Sequence, residues 1–224
     1  MDFLKRLVWI FVSPNRVFDD IRERRVSWWQ PWFVVSLFYM VVTWMSLPIQ
    51  TALAELNPEL TTEQIDQQVQ FTEQFGLIFV ALSPVGALLF TLLVAGLSYI
   101  AVTIASRAAT FKQYLTLIFF AGIVGVIGSL VSTVMVRARG LENITGPVDA
   151  QMTLSLRTLA PDNAVLRGVL GSFEFFAIWS LVLVVMGLMR IFGMSRAQSI
   201  MVAVVLWIIS AIGLVLNEVF TGMS

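Results

Sequence analysis

The sequence predicts an all-α, polytopic membrane protein with five transmembrane helices and amphipathic, interfacial helices at its amino terminus. Composition points there first. Apolar residues make up 58% of the 224-residue chain and charged residues 12%, where a soluble domain carries about 45–50% and about 25%. A mean hydropathy of +0.87 agrees. Patterning supplies the number: five runs with few or no charges are long enough to cross a hydrocarbon core of about 30 Å at about 1.5 Å per residue. Backbone groups cannot stay unpaired in hydrocarbon, so these runs must be helical.

The first segment, residues 1–31, precedes the membrane domain. Phe3, Leu4, Leu7, Val8, Ile10 and Phe11 recur at helical spacing with Lys5 and Arg6 beside them, a pattern that suits a helix lying in the interface. The apolar run Leu7 to Val12 is short and no small-residue cleavage site follows, so the amino terminus is expected to be retained. Ser13-Pro14 breaks the helix, with Ser13 as N-cap and Pro14 at the first position of a second short helix reaching about Arg24. Trp28, Trp29 and Trp32 mark the membrane boundary, and Pro31 suits a helix entry.

The membrane domain, residues 32–220, holds spans over 32–54, 77–105, 113–136, 168–190 and 197–219, leaving 221–224 as a short tail. The first connection is acidic and rich in glutamine, and Thr61 with Gln64 forms a capping box that starts a helix near Thr62 continuing into the second span. The connection from Arg137 to Arg167 is punctuated by Gly140, Gly146, Pro147 and Pro161, and Gln151 to Leu159 could form one short amphipathic helix. Ten of the fourteen Lys and Arg residues fall on the amino-terminal side and four, all in that long connection, on the other. The amino terminus is therefore expected in the cytosol and the carboxyl terminus outside.

Zero net charge gives no global field for nucleic acid, and none is expected as a partner. The chain has no cysteine and no histidine, which removes thiolate chemistry, the commonest neutral-pH base and the commonest metal ligands. No catalytic residue, metal site or cofactor is expected. Gly122-x-x-Gly125-x-x-Gly128 lies inside an apolar helix and is no phosphate loop.

The ionisable residues near the spans are Glu174, expected about two turns into the fourth helix, Glu218 at the end of the fifth, and Arg137 and Arg167 at neighbouring ends. A carboxylate in lipid is costly, so Glu174 should face the bundle, water or an arginine. A structural ion pair or snorkelling is the favoured reading, ahead of a proton-linked or headgroup-binding site. Small residues recur every four positions at Ser83, Ala87, Thr91 and Ala95 on the second span, and at Ala121, Gly125, Ser129 and Thr133 on the third. Such stripes let helices approach closely, which predicts that spans two and three form the tight centre. Pro84 should bend the second span and is a candidate hinge.

The order of features resembles the Yip1 family, its bacterial branch in particular. Phe11-Val12-Ser13-Pro14, Val17-Phe18, Ile21-Arg22-Glu23, Trp28-Trp29-Gln30-Pro31, the acidic-glutamine stretch Thr62 to Phe75 and Thr110-Phe111-Lys112-Gln113-Tyr114 carry the resemblance. The aspartate-leucine-tyrosine-glycine-proline motif of eukaryotic members is absent, and Phe120-Ala121-Gly122 stands where they have glycine-tyrosine. The resemblance implies a five-span protein without established catalytic residues. Eukaryotic members act as adaptors in membrane traffic, and some bacterial ones occur with exporter machinery.

Two functions follow as expectations. The leading one is a non-enzymatic adaptor or accessory subunit in the bacterial cytoplasmic (inner) membrane, in contact with the lipid bilayer and a membrane-protein partner or a second copy. The alternative is a small transporter, channel or lipid-handling protein using a polar site near Glu174, marked by a cavity reaching that residue. Orientation is directly measurable: with no native cysteine, Thr62→Cys should react with an impermeant maleimide added outside and Ser106→Cys should not. The reverse labelling pattern would invert the topology.

Overall fold

The computed structural model describes residues 3–57, 60–106, 110–146, 149–150, 155–159 and 163–221. Eight α-helices run in order: α1 (Phe3–Val12), α2 (Pro14–Arg22), α3 (Trp29–Glu55), α4 (Thr62–Ala105), α5 (Phe111–Arg139), α6 (Ala164–Gly171), α7 (Phe175–Phe192) and α8 (Arg196–Thr221). Five of them, α3, α4, α5, α7 and α8, are long and apolar enough to cross a membrane. Among the described residues the only β-type pairing is an isolated antiparallel bridge between Ser155 and Glu174.

Sequence explains most of the ends. Thr61 accepts the Gln64 N–H at 3.3 Å while the Gln64 side chain accepts the Thr61 N–H at 2.8 Å, the reciprocal box that starts α4. Thr110 caps α5 by accepting the Gln113 N–H and Asn163 caps α6 by accepting the Leu166 N–H. Ser13 stands before Pro14 as expected, but its hydroxyl makes no capping bond. In the long connection the described part of Gln151 to Leu159 is a single 3-10 turn, Leu156–Leu159, and residues 151–154 lie outside the described residues.

The centre of the bundle differs from the expectation. α5 is the most enclosed span, with Tyr114, Leu117, Phe120 and Val124 wholly buried. Its close partners are α3 and α7, whereas α4 packs chiefly along α3. On α4 only Ala95 of the small-residue stripe is fully buried, while Ser83, Ala87 and Thr91 are half-exposed. Close approach is set elsewhere: a Cβ at Gly128 would lie 2.7 Å from Phe176 on α7, and one at Gly168 would lie 2.6 Å from the Val215 backbone on α8. In lipid, where apolar contact with a helix is no better than contact with a tail, such small-residue contacts hold helices together.

α4 runs unbroken through Pro84. Proline has no N–H, so the carbonyl four residues back, Val80, loses its helical donor. The Ser83 hydroxyl donates to that carbonyl at 2.9 Å. The polar group freed by the proline is thus satisfied within the helix. α3 also contains an internal proline, Pro48.

The two short helices form a platform across the amino-terminal end of the bundle. Val17, Phe18 and Ile21 of α2 are wholly buried, and α2 lies against α7 and α5. Arg6 is not a free cation on a basic face. Its Nε donates to Asp20 Oδ2 at 2.8 Å with both side chains buried. Arg190 on α7 makes a two-pronged bond to Asp19, at 2.7 and 2.9 Å, and the Gln113 amide donates to the Ile21 and Arg22 carbonyls at the end of α2. α2 finishes in a Schellman turn, with Arg24 N–H donating to Ile21 and Arg25 N–H to Asp20. Arg24 occupies the left-handed position of that turn at φ +58°, where glycine is the usual residue and another side chain costs about 1 kcal/mol.

The two pairs should behave differently. Asp20→Ala strands a buried guanidinium and is expected to destabilise by about 3–5 kcal/mol, while Asp19→Ala removes a solvent-screened pair for about 0.2–1 kcal/mol. The guanidinium of Arg190 holds the Asp19 carboxyl below the usual carboxylate range. That carboxylate therefore stabilises the fold at neutral pH and loses its effect as pH falls through its lowered native value. Thermal unfolding of the detergent-solubilised variants against pH measures all three. Equal shifts for the two alanine variants would contradict the burial described.

Candidate functional site

A cavity of about 570 Å³ opens between α5, α7 and α8 in the half of the bundle away from the platform. Its α5 wall is the stripe picked out by spacing: Ala121, Gly122, Gly125, Gly128, Ser129 and Thr133. At Gly125 a Cβ would meet only the Ser180 hydroxyl, at 3.7 Å, and at Gly122 nothing within 4 Å. These glycines hold space open, and of the stripe's glycines only Gly128 is a contact point. Ser180 ties the opposite wall down, its one hydroxyl proton shared between Ala121 O at 3.0 Å and Phe176 O at 2.9 Å. The other hydroxyls there also face inward bonds: Thr133 donates to Ser129 O at 2.9 Å and Ser172 to Val169 O at 2.6 Å. Their lone pairs are left as acceptors.

The cavity is graded. Glu174, Arg157 and Ser172 line its end away from the platform, and Ile118, Leu181, Val184 and Leu206 line the end nearer to it. Glu174 to Val184 spans about 15 Å of helix rise, about half the thickness of a hydrocarbon core.

Glu174 is not two turns inside the fourth helix. The run 168–190 is broken, with α6 ending at Gly171 and α7 starting at Phe175. Glu174 is the N-cap of α7, its Oε2 accepting the Ala177 N–H at 2.7 Å. A carboxylate at a helix start satisfies an orphan donor and the positive end of the dipole, and this is why a charge is tolerated at that depth. The bridge from Glu174 to Ser155 carries the chain over the cavity and sets Arg157, 7% exposed, in its wall.

The other sequence-derived residues are not gathered here. Arg137 is exposed and donates to the Met45 carbonyl on α3 at 3.4 Å, and neither it nor Arg167 lines the cavity. Glu218 lies in the last turns of α8 with its side chain outside the described part. Sequence reasoning missed Arg157 as a site residue. The available signal was its place among the arginines on the side where positive charge is rare. Among the described residues no group of three acidic, histidine or cysteine side chains is placed to hold a metal. A second cavity of about 560 Å³, between α3 and α4 at the same end, is edged by Glu55, Glu73 and Glu142.

The comparison with known proteins matches this five-span layout. The Yip1 domain matches the chain over residues 9–217. The chain belongs to the Yip1 family. It is 27% identical over 220 residues to the membrane protein YknW of Bacillus subtilis, covering 96% of this chain and 88% of that protein. No solved structure matches it. The chain is a membrane protein of this family, and the cavity beneath Glu174 is one of the two of similar volume described away from the platform.

If the α5 glycines differ in role as described, Gly128→Leu should drive into Phe176 and lower the melting temperature by the equivalent of about 1–3 kcal/mol. Gly125→Leu should enter open space and cost less than about 1 kcal/mol. Differential scanning fluorimetry in detergent tests the contrast, and equal losses would mean the space at Gly125 is closed.

Proposed function

We propose that this Yip1-family protein is a non-catalytic lipid-handling protein of the bacterial cytoplasmic membrane, amino terminus inside, that holds one amphiphile in the cavity beneath Glu174 and Arg157. The observation that carries the reading is the gradation of the cavity, from a carboxylate and a guanidinium at the end away from the platform to aliphatic side chains at the end nearer to it. Ligand sites are mostly apolar with a few placed polar groups, and an amphiphile has the same two-ended chemistry. A cavity touching Glu174 is also the feature that separates this reading from an adaptor on sequence grounds.

The adaptor reading keeps one observation of its own. The amino-terminal part of α4 carries a ladder of rings, with Phe71 4.9 Å from Phe75 and 5.8 Å from Phe79, and Phe71 is 52% exposed beside the acidic and glutamine side chains of that helix. Exposed aromatic side chains on a polar helix suit a protein partner.

Crosslinking in native membranes, purification of the full chain in mild detergent and mass spectrometry of protein and lipid together decide between them. One lipid per chain in the wild type, weakened about tenfold or more (about 1.4 kcal/mol) by Gly125→Phe, supports the cavity. A stoichiometric protein partner with no retained lipid would overturn it in favour of the adaptor.

A further inference from the structure

A smaller pocket of about 280 Å³ lies on the opposite, amino-terminal face, between the end of α2 and the start of α5. Its polar lining is Arg24, Ser27, Thr110, Lys112, Gln113 and Thr116, and no acidic residue contributes to it. The nearby carboxylates are committed elsewhere: Asp19 to Arg190, Asp20 to Arg6, and Glu23 to Arg25 at 2.5 Å. Among the described residues Arg24 and Lys112 are in no salt bridge. Two exposed cations therefore face one polar pocket without a counter-charge from the carboxylates around them.

Backbone geometry adds two independent facts. Arg24 holds φ +58° in the Schellman turn that ends α2. Glycine would close that turn without strain, so the arginine side chain is kept there against the local preference, a pattern that points to function. The pocket also sits at the first turn of α5. Thr110 takes the Gln113 N–H, while the N–H groups of Phe111 and Lys112 precede the first intrahelical acceptor and point out of the helix start. α5 is 29 residues long, so its full dipole is available to an anion there. Trp28 and Trp29 follow directly in sequence, at the level where headgroups lie.

We propose that this pocket binds a phosphate group at the membrane surface, held by Arg24, Lys112, the hydroxyl lining and the first N–H groups of α5. Its supply is the phosphodiester of an anionic phospholipid, with a soluble phosphate compound as the other source of the same chemistry. The site is separate from the cavity beneath Glu174 and does not depend on what that cavity holds.

The test is thermal unfolding of the full chain in an uncharged detergent, titrated with phosphatidylglycerol, phosphatidylcholine or inorganic phosphate. Phosphatidylglycerol should raise the melting temperature and phosphatidylcholine should not. Arg24→Gly should melt higher than wild type without lipid, because the turn is relieved, yet need about fivefold more phosphatidylglycerol for the same rise. Lys112→Gln should show a similar loss, and Arg22→Gln, a neighbouring basic residue outside the pocket, should not. A rise produced equally by inorganic phosphate, with the same dependence on Arg24 and Lys112, supports the site and assigns it to a soluble ligand. Unchanged titrations in both pocket variants, or equal rises with the two lipids, would overturn the proposal.

Discussion

α5 is enclosed by protein in its first turns and along one face borders a void from Ile118 to Thr133, and the rest of the molecule is arranged around that difference. At its start, Tyr114, Leu117 and Phe120 are wholly buried, the Gln113 amide grips the end of α2, and the Ser98 and Tyr114 hydroxyls share a bond of 2.8 Å. Further along, the side chains shrink to glycine and serine. α7 meets α5 there where Gly128 admits Phe176 and where Ser180 reaches the Ala121 carbonyl. Close-packed interiors leave few voids larger than a water molecule. A cavity of about 570 Å³ persists here because the side chains that could fill it are absent from α5 and because polar bonds hold the opposite wall in place.

The platform is built on a different principle. Its helices are too short to be stable alone, and they are fixed by burying Val17, Phe18 and Ile21 and by using their charges on one another. The Arg6–Asp20 pair is costly to desolvate, and its value lies in position: only one placement of α1 on α2 leaves neither charge stranded. Arg190 and Asp19 then tie that unit to the fourth span. A face that looks uniformly basic in sequence thus becomes a set of matched pairs with a small unmatched remainder.

Legibility in the sequence followed the strength of the physical signal. Five apolar runs, the capping box at Thr61 and the extension of α4 were readable because hydrocarbon thickness and helix capping leave few alternatives. The site was only half readable. Spacing exposed the Gly122–Gly125–Gly128 series, but a small residue reads alike whether a neighbour fills its place or nothing does, and only Gly128 proved to be a contact. Glu174 was visible as an odd charge. Its role as an N-cap was hidden, because a run of apolar residues does not show that Ser172 and Phe173 leave the helix. Arg157 reaches the cavity through a bridge between distant residues, which no local pattern encodes.

The break before Glu174 also leaves α7 short. Its 18 residues rise about 27 Å, less than a hydrocarbon core of about 30 Å, while the 27 residues of α3 rise about 40 Å. A molecule with one low wall cannot match a flat bilayer all the way round. A short span is accommodated by thinning of the bilayer and a long one by tilt, each at a fraction of a kcal/mol per ångström of mismatch, and the short side of this molecule is the side that carries the mouth of the cavity. A leaflet thinned beside α7 would set its headgroups nearer the level of Glu174 than a flat one.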